Sequence, residues 1–301
     1  MARYAVIDIG TNSVKLHVAR EVHGHLSVLA DEAVVTRLGE DMDAEGDLNE
    51  AAMDRTLEAV RALAARADAL GANKTVAVGT AAFRRARNAD EFREMIKRRT
   101  KLTVKVLSGE EEARLAALAV RRTLELPAGK VAVADIGGGS TDVTLMTGGR
   151  VHLAESLPVG VRTLTDAHAR QAPLSEDDGE DMARAIRDVL GDVDLTAGTL
   201  VLTGGTASTL AAIRLGLKAF DPARVHGLRL DRQDVARVYD RLAGMTLPER
   251  RAVPGLPADR ADVMPAGAAL ALALCTAAGV DALTVCSCGL RHGVLADRFL
   301  G

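Results

Sequence analysis

Two short segments of the chain each place an aspartate at the end of an apolar strand and a polar turn directly after it. Residues 4–13 contain Asp8, and residues 131–140 contain Asp135. Turns of this kind gather several backbone N–H groups into one concavity, which suits phosphate oxygens. The carboxylate beside the turn can hold a divalent cation that bridges to those oxygens. The two segments therefore predict a duplicated domain that closes on one phosphorylated ligand from both sides.

The second turn is the more specific of the two. Its three glycines lie between Asp135 and Asp142, and a strand follows, without the Gly-Lys-Ser/Thr of a nucleotide P-loop. An ordinary hairpin also favours Gly and Ser, but it rarely needs three glycines and two flanking acids. We therefore predict phosphate binding here, and a simple polar turn stays the alternative for the first copy. The predicted phosphate-binding residues of the two turns are Thr11, Asn12, Ser13, Gly137, Gly138, Gly139, Ser140 and Thr141.

Two further segments offer groups for an anionic substrate. Arg84 is one of three arginines within residues 84–87. Its guanidinium can form a fork on phosphate, although charge runs more often form a solvated face. Gly204 and Gly205 join a predicted strand to a predicted helix. The first amides of that helix would make an anion site, or the glycines would let another backbone approach closely.

A helix that begins near Ser108 carries three acids in its first turn. Ser108 and Glu111 have the spacing of a capping box, and acids suit the positive end of the helix dipole. This explanation covers Glu110 and Glu111 but weakens for Glu112, which is the fourth helical residue. A carboxylate separated from an anionic substrate by a cation or a water has the arrangement of a general base for phosphate hydrolysis. The spacing alone leaves both interpretations of Glu112 open.

The composition is that of a globular protein with few aromatic residues. The chain has 301 residues, a formal net charge of −3, two Tyr, four Phe and no Trp. Near-neutral charge disfavours coating of nucleic acid, and so few aromatics leave little for base stacking. The chain has no run of eighteen apolar residues that would predict a membrane span. We therefore predict neither nucleic acid nor membrane as a partner.

The cysteines and the N-terminus bear on the compartment. Three cysteines are too few for a disulfide framework, and the seven histidines show no metal-binding spacing. Cys286 and Cys288 are more typical of two buried thiols than of a metal clip. The N-terminus enters a predicted strand directly and lacks a signal-peptide layout. The sequence therefore predicts a reduced, cytoplasmic protein.

The elements that must position these residues repeat one order in each half: a three-stranded meander, then alternating helices and strands. A Pro/Gly interruption at residues 126–129 separates the halves. The predicted domains therefore cover residues 1–126 and 127–301, with the last helix, 289–301, as a candidate to pack on the first domain.

Three local predictions concern single elements. Asn88 and Glu91 have the spacing of a capping pair, and a helix over 259–278 is predicted to kink at Pro265. His23-Gly24 is predicted to be the turn between the second and third strands. The predicted strands are 3–9, 14–20, 25–37, 75–79, 103–107, 131–135, 142–147, 151–157, 199–203 and 282–286.

These segments resemble the motifs of the exopolyphosphatase and guanosine pentaphosphate phosphohydrolase family, within the actin, sugar kinase and heat-shock ATPase superfold. The resemblance implies an α/β protein of two ribonuclease H-like domains with a phosphate-binding cleft between them. The combination of Ser-Gly-x-Glu-Glu-Ala-Arg-Leu with Asp-Ile-Gly-Gly-Gly-Ser-Thr is highly specific. The matching segments are residues 8–13, 80–88, 108–115, 135–141, 156–160, 203–206 and 289–293.

The resemblance also implies roles for single residues. It makes Glu112 the base that orients and deprotonates a water. It makes Asp8 and Asp135 the contacts of a Mg²⁺ ion, for which Mn²⁺ could substitute, and Arg84 the grip on a phosphate. The implied reaction is attack of water on a terminal phosphoryl group, which depends on positioning and charge neutralisation.

The chain departs from the family pattern in three places. Asp142 stands where the family usually has Glu, so we expect this shorter side chain to act on the metal through water. His292 stands where the family more often has Glu, and the sequence assigns it no role. The sequence ends where longer members continue into helical domains that lengthen the polymer channel, so we expect either lower processivity or a preference for shorter polymers.

The leading prediction is a Mg²⁺-dependent exopolyphosphatase that releases orthophosphate from inorganic polyphosphate, and the family suggests a homodimer. Hydrolysis of the 5′ terminal phosphate of guanosine pentaphosphate would use the same site. A kinase of the same superfold ranks lower, because Glu112 suits water activation and no acceptor motif is evident. A ligand-sensing protein with an inactive site is disfavoured by the intact acids and glycines.

Overall fold

A computed structural model describes residues 2–22, 25–40, 42 and 46–300 of the chain. The predicted turn at His23-Gly24 lies outside these residues. The described residues form two sheets, one of five strands and one of six, and helices pack on both. In each sheet a strand that is buried over most of its length lies near the centre, as expected where helices cover both faces.

The first sheet has the strand order β3-β2-β1-β4-β5. Its first three strands form an antiparallel meander, and β4 pairs with β1 in parallel. The aspartate Asp8 therefore lies near the carboxyl end of a central strand. The elements are β1 (Arg3–Ile9), β2 (Ser13–Val22), β3 (His25–Val35), α1 (Glu50–Ala69), β4 (Lys74–Gly79), α2 (Ala81–Arg85), α3 (Ala89–Thr100), β5 (Val104–Val106) and α4 (Gly109–Thr123).

The second sheet has the strand order β10-β11-β9-β6-β7-β8. It repeats the antiparallel meander in β6–β8 and the parallel pairing in β6 with β9. A short 3₁₀ helix, Ala258–Arg260, precedes α11. The remaining elements are β6 (Lys130–Ile136), β7 (Thr141–Thr147), β8 (Arg150–Leu157), α5 (Val161–His168), α6 (Glu176–Leu190), β9 (Thr199–Thr203), α7 (Gly204–Leu215), α8 (Pro222–Val225), β10 (Arg229–Asp231), α9 (Arg232–Ala243), α10 (Leu247–Arg251), α11 (Met264–Ala278), β11 (Ala282–Val285) and α12 (Leu290–Phe299).

The register of the two hairpins shows the duplication residue by residue. In the first hairpin Asp8 lies opposite Lys15. In the second, Asp135 lies opposite Asp142. The two hairpins therefore place an aspartate at equivalent positions, but one faces a cation across the ladder and the other faces a second acid.

Helix α4 packs on the second sheet, and α12 packs between α4 and the first sheet. Leu115 of α4 shares a buried cluster with Val6 of β1 and with Val294 of α12. Val120, on another face of α4, packs with the second-sheet strand β6. Gly293 allows α12 to come this close, because a Cβ atom there would clash with the carbonyl group of Leu115. The last helix thus leaves the second sheet and packs on the first.

Two local predictions were wrong. Pro265 does not kink a long helix. It lies at the start of α11, where the first N–H groups of a helix have no intrahelical partner to lose. Asn88 does not cap α3 with its side chain. Instead it accepts from the backbone N–H of Leu48 and donates to the Leu48 carbonyl, and so ties down a distant loop.

Five short elements among the described residues were not predicted: α2, α5, α8, β10 and α10. Among the described residues, no helix has both the length and the apolar character needed to cross a membrane.

Candidate active site

A pocket opens where the turn between β1 and β2 meets the turn between β6 and β7. The two turns touch: a Cβ atom at Gly138 would lie 2.8 Å from the Asn12 Cβ, and one at Gly139 would lie 2.7 Å from Thr11 Oγ1. Only glycine fits at this close approach. The pocket is lined by Asp8, Gly10, Thr11, Asn12, Ser13, Lys15, Thr80, Glu112, Asp135, Ile136, Gly137, Gly138, Gly139, Ser140, Asp142, Val161, Gly205, Arg260 and Leu290.

The glycine turn, residues 137–139, lines this pocket. The Gly137 N–H closes the turn by donating to the Ser140 carbonyl at 2.9 Å. The carbonyls of Gly137 and Gly138 accept from the first amides of α5, including that of Arg162 at 2.8 Å. By contrast, the N–H groups of Gly138 and Gly139 donate to no residue in the described part of the chain. With its carbonyls bound behind it, the turn has free donors for an anion.

Three predicted binding residues do not line the pocket. Thr141 is fully buried and donates its hydroxyl to the Val159 carbonyl at 2.7 Å, so it fixes the segment before α5. Gly204 has a φ of +85°, and a Cβ atom there would clash with Asp135 Oδ1. Of the two predicted roles for Gly204, the structure therefore shows the close approach. The third residue, Arg84, lies beside Glu112.

Glu112 is held by an arginine rather than by the helix cap. Ser108 and Glu111 form the complete capping box of α4, as predicted, so Glu112 is not needed for capping. Its side chain is only 2% exposed, and Arg84 Nη1 lies 2.9 Å from Glu112 Oε2 as an ion pair. Arg84 also donates to the Leu107 carbonyl and to Ser156 Oγ. Neither carboxylate oxygen has a hydrogen-bond partner among the described residues, so the ion pair with Arg84 holds Oε2 and leaves Oε1 free.

The carboxylates of the pocket are costly to ionise together. Burial raises the pKa of Glu112, the charge of Asp142 raises it further, and Arg84 lowers it. Burial likewise raises the pKa of Asp142, where a hydrogen bond from Ser156 works in the opposite direction. The pKa of Asp135 is also raised, chiefly by burial. A site of this kind gains from any cation that enters it.

The residues present fit a hard divalent cation. Asp8 Oδ1 and Asp142 Oδ1 are buried and have no hydrogen-bond partner among the described residues. No three of the described acids in the pocket bring oxygen atoms within 4.8 Å of one another. The acids do not make a closed cage, and an ion here would complete its shell with water and phosphate oxygens. Mg²⁺ characteristically binds in this way, through one or two carboxylates.

Two cationic residues of the pocket were missed by the sequence reasoning. Lys15 Nζ lies 3.6 Å from Asp8 Oδ2; alignment of the two hairpins would have found it, because it is equivalent to Asp142. Arg260 packs over Gly205 at the start of α7, and its Nε has no hydrogen-bond partner among the described residues. No local pattern marks Arg260, because a 3₁₀ helix far along the chain brings it to the pocket.

The family model and the relatives that match this chain agree with one another. A family model described as "Ppx/GppA phosphatase family" matches residues 17–300. Exopolyphosphatase 1 of Mycobacterium tuberculosis is 29% identical over 309 residues, which cover 98% of this chain and 88% of that protein. Guanosine-5'-triphosphate,3'-diphosphate pyrophosphatase of Aeromonas hydrophila is 30% identical over 297 residues, which cover 97% of this chain and 58% of that protein.

A solved structure agrees with the fold as well. The crystal structure of the Aquifex aeolicus member of the Ppx/GppA family superposes on this chain with a TM-score of 0.84 and is 34% identical to it. The match covers 99% of this chain and 98% of that chain. The predicted α/β fold with two sheet-containing domains is confirmed, in the fold of a solved Ppx/GppA family member.

Proposed function

This chain belongs to the Ppx/GppA phosphatase family, and from that premise we propose that it hydrolyses the terminal phosphate of inorganic polyphosphate and releases orthophosphate. The observation that carries the proposal is the meeting of the two turns around free amides, beside a buried glutamate. A polyanion without a base or sugar needs positive groups and donors rather than an aromatic platform. Lys15, Arg260 and the amides of Gly138 and Gly139 are such groups.

In this proposal Glu112 acts as the general base. Its free oxygen Oε1 accepts a proton from the attacking water, while Arg84 fixes the carboxylate through Oε2. The amides of the glycine turn stabilise the charge that develops on the phosphoryl oxygens. Catalysis then depends on positioning and electrostatics, as expected for phosphoryl transfer. Asp8, Asp135 and Asp142 would hold Mg²⁺, or Mn²⁺ in its place, and the ion would supply charge neutralisation of the phosphate oxygens.

Guanosine pentaphosphate is the second candidate substrate. The relative from Aeromonas hydrophila carries a name for that reaction at an identity similar to that of the exopolyphosphatase. The terminal phosphate of guanosine pentaphosphate would bind between the same two turns, beside Glu112. A kinase is the weaker alternative, because a buried glutamate aimed at the phosphate site suits a water nucleophile.

The test measures orthophosphate release from long polyphosphate, from short oligomers and from guanosine pentaphosphate, with and without Mg²⁺. We expect Mg²⁺-dependent release from polyphosphate, and a loss of about 10²–10⁴-fold in Glu112→Gln. Glu110→Gln is the matched control, since Glu110 lies exposed in the same helical turn and does not line the pocket. Equal rates in Glu112→Gln and the parent would refute the base. Faster release from guanosine pentaphosphate would favour the second substrate.

A further inference from the structure

A second cluster of ligating side chains lies outside the phosphate pocket, where α12 packs on the first sheet. His17 of β2 lies directly opposite Asp31 of β3 in the strand register. His292 of α12 approaches the same carboxylate. His17 Nδ1 lies 3.5 Å from Asp31 Oδ1, and His292 Nε2 lies 3.4 Å from Asp31 Oδ2. One ligand atom of each residue lies within 4.8 Å of the others, which no other such group does among the described residues.

The buried His17 ring has one nitrogen that lies near Asp31 but forms no hydrogen bond with a described residue. His17 is 2% exposed, and its Nδ1 has no hydrogen-bond partner among the described residues. A buried polar atom without a partner costs free energy and calls for an explanation such as an ion.

We propose that His17, Asp31 and His292 bind a divalent transition-metal ion, with Zn²⁺ as the ion that fits best. Two imidazole nitrogens and one carboxylate oxygen form a ligand set that suits Zn²⁺ and leaves a position for water. Mg²⁺, which prefers oxygen ligands, would stay in the phosphate pocket. The site is therefore separate from the proposed catalytic ion in both place and chemistry.

Arg291 and Gly289, which contact the proposed ligands, have effects that both favour and disfavour binding of a metal ion. Arg291 donates to both oxygens of Asp31, at 2.6 and 2.9 Å. Such an outer hydrogen bond is common for a ligating carboxylate, although the positive charge weakens the attraction for a dication. His292 Nδ1 accepts from the Gly289 N–H at 3.1 Å, so the ring proton lies on Nε2, the nitrogen that approaches Asp31. A metal ion at Nε2 would displace that proton, and a neutral ring protonated at Nδ1 would no longer accept from the Gly289 N–H.

The test uses the full chain with Mg²⁺ in excess, so that the phosphate pocket is occupied. Co²⁺ is titrated and followed by its visible absorption, and Zn²⁺ is then added as a competitor. We expect one Co²⁺ per chain, displaced by Zn²⁺, and affinity lowered by at least about tenfold in His17→Gln and in His292→Gln. The Gln at residue 292 keeps an acceptor for Gly289, so this variant should stay folded even if the buried His17 variant does not.

The matched control is His152→Gln, because His152 is exposed on β8 and lies outside the cluster. It should bind Co²⁺ as the parent does. The proposal is overturned if the parent shows no Co²⁺ absorption under excess Mg²⁺, or if His292→Gln binds Co²⁺ and Zn²⁺ as tightly as the parent. Either result would leave these residues as a hydrogen-bonded ion-pair network that attaches α12 to the sheet.

Discussion

Glu112 combines the properties that a base for water needs. It is buried, so its proton affinity is high, and one carboxylate oxygen has no partner among the described residues. Arg84 supplies the opposing charge and is itself fixed by the Leu107 carbonyl and by Ser156 of the second sheet. Arg84 is therefore better placed to position the base than to grip a phosphate directly, which is the role expected from the family resemblance.

Replacing Arg84 with Ala separates these two roles. The charge of Arg84 lowers the pKa of Glu112, so its removal raises that pKa further. The rate of hydrolysis depends on the deprotonated base, so its rise with pH should move to higher pH. At neutral pH kcat should fall by about tenfold for each unit of that displacement. The pH profiles of kcat for Arg84→Ala and the parent measure this displacement.

The control for this experiment is Arg85→Ala, since Arg85 is exposed and does not line the pocket. Its pH profile should match that of the parent. A raised KM with an unmoved profile in Arg84→Ala would contradict the positioning role and restore the direct phosphate contact.

At the scale of elements, the site depends on two hairpin turns and on the short helix behind one of them. The first amides of α5 bind the carbonyls of the glycine turn, and Gly138 and Gly139 let that turn touch residues 11–12. Backbone contacts therefore fix the geometry of the glycine turn, and this geometry requires residues without a Cβ atom at 138 and 139.

Gly138→Ala should disturb this contact with little effect elsewhere. The new Cβ would lie 2.8 Å from the Asn12 Cβ and 2.9 Å from the Asn12 backbone nitrogen, so the turns must move apart. A displacement of about 1 Å at a catalytic site can cost on the order of 10²-fold in rate. Measurement of kcat/KM and of thermal unfolding should show a large loss of activity in a folded protein. Gly129→Ala is the control, because apart from its chain neighbours no described residue has an atom within 4 Å of its Cβ; equal activity in the two variants would contradict the account.

Local signals in the sequence were sufficient for the strands that carry Asp8 and Asp135 and for the capping box of α4. They failed for α5, whose eight residues give too short a periodic pattern. They also failed for Pro265, because a proline in the sequence is compatible both with a kink inside a helix and with the first turn of a helix. The contacts of Arg260 with Gly205 and of Arg84 with Ser156 join residues far apart in the chain, so no local pattern encodes them.

At the scale of the whole molecule, the two halves are joined beside the pocket by charges as well as by the turns. Asp262 forms ion pairs with one arginine from each half. Its Oδ2 lies 3.2 Å from Arg37 Nη2 of the first half and 3.1 Å from Arg162 Nη1 of the second. The backbone N–H of Arg37 also donates to the Asn12 carbonyl. These contacts hold the first turn against the second, so the cleft is formed by both halves together.

The most direct measurement is a crystal structure of Glu112→Gln with Mg²⁺ and a short linear polyphosphate, since this variant should bind the substrate without cleaving it. The terminal phosphate should lie between the two turns, with its oxygens about 3 Å from the amides of Gly138 and Gly139 and a water between the phosphorus and residue 112. A polyphosphate bound outside this cleft, with the two turns empty, would contradict the proposal.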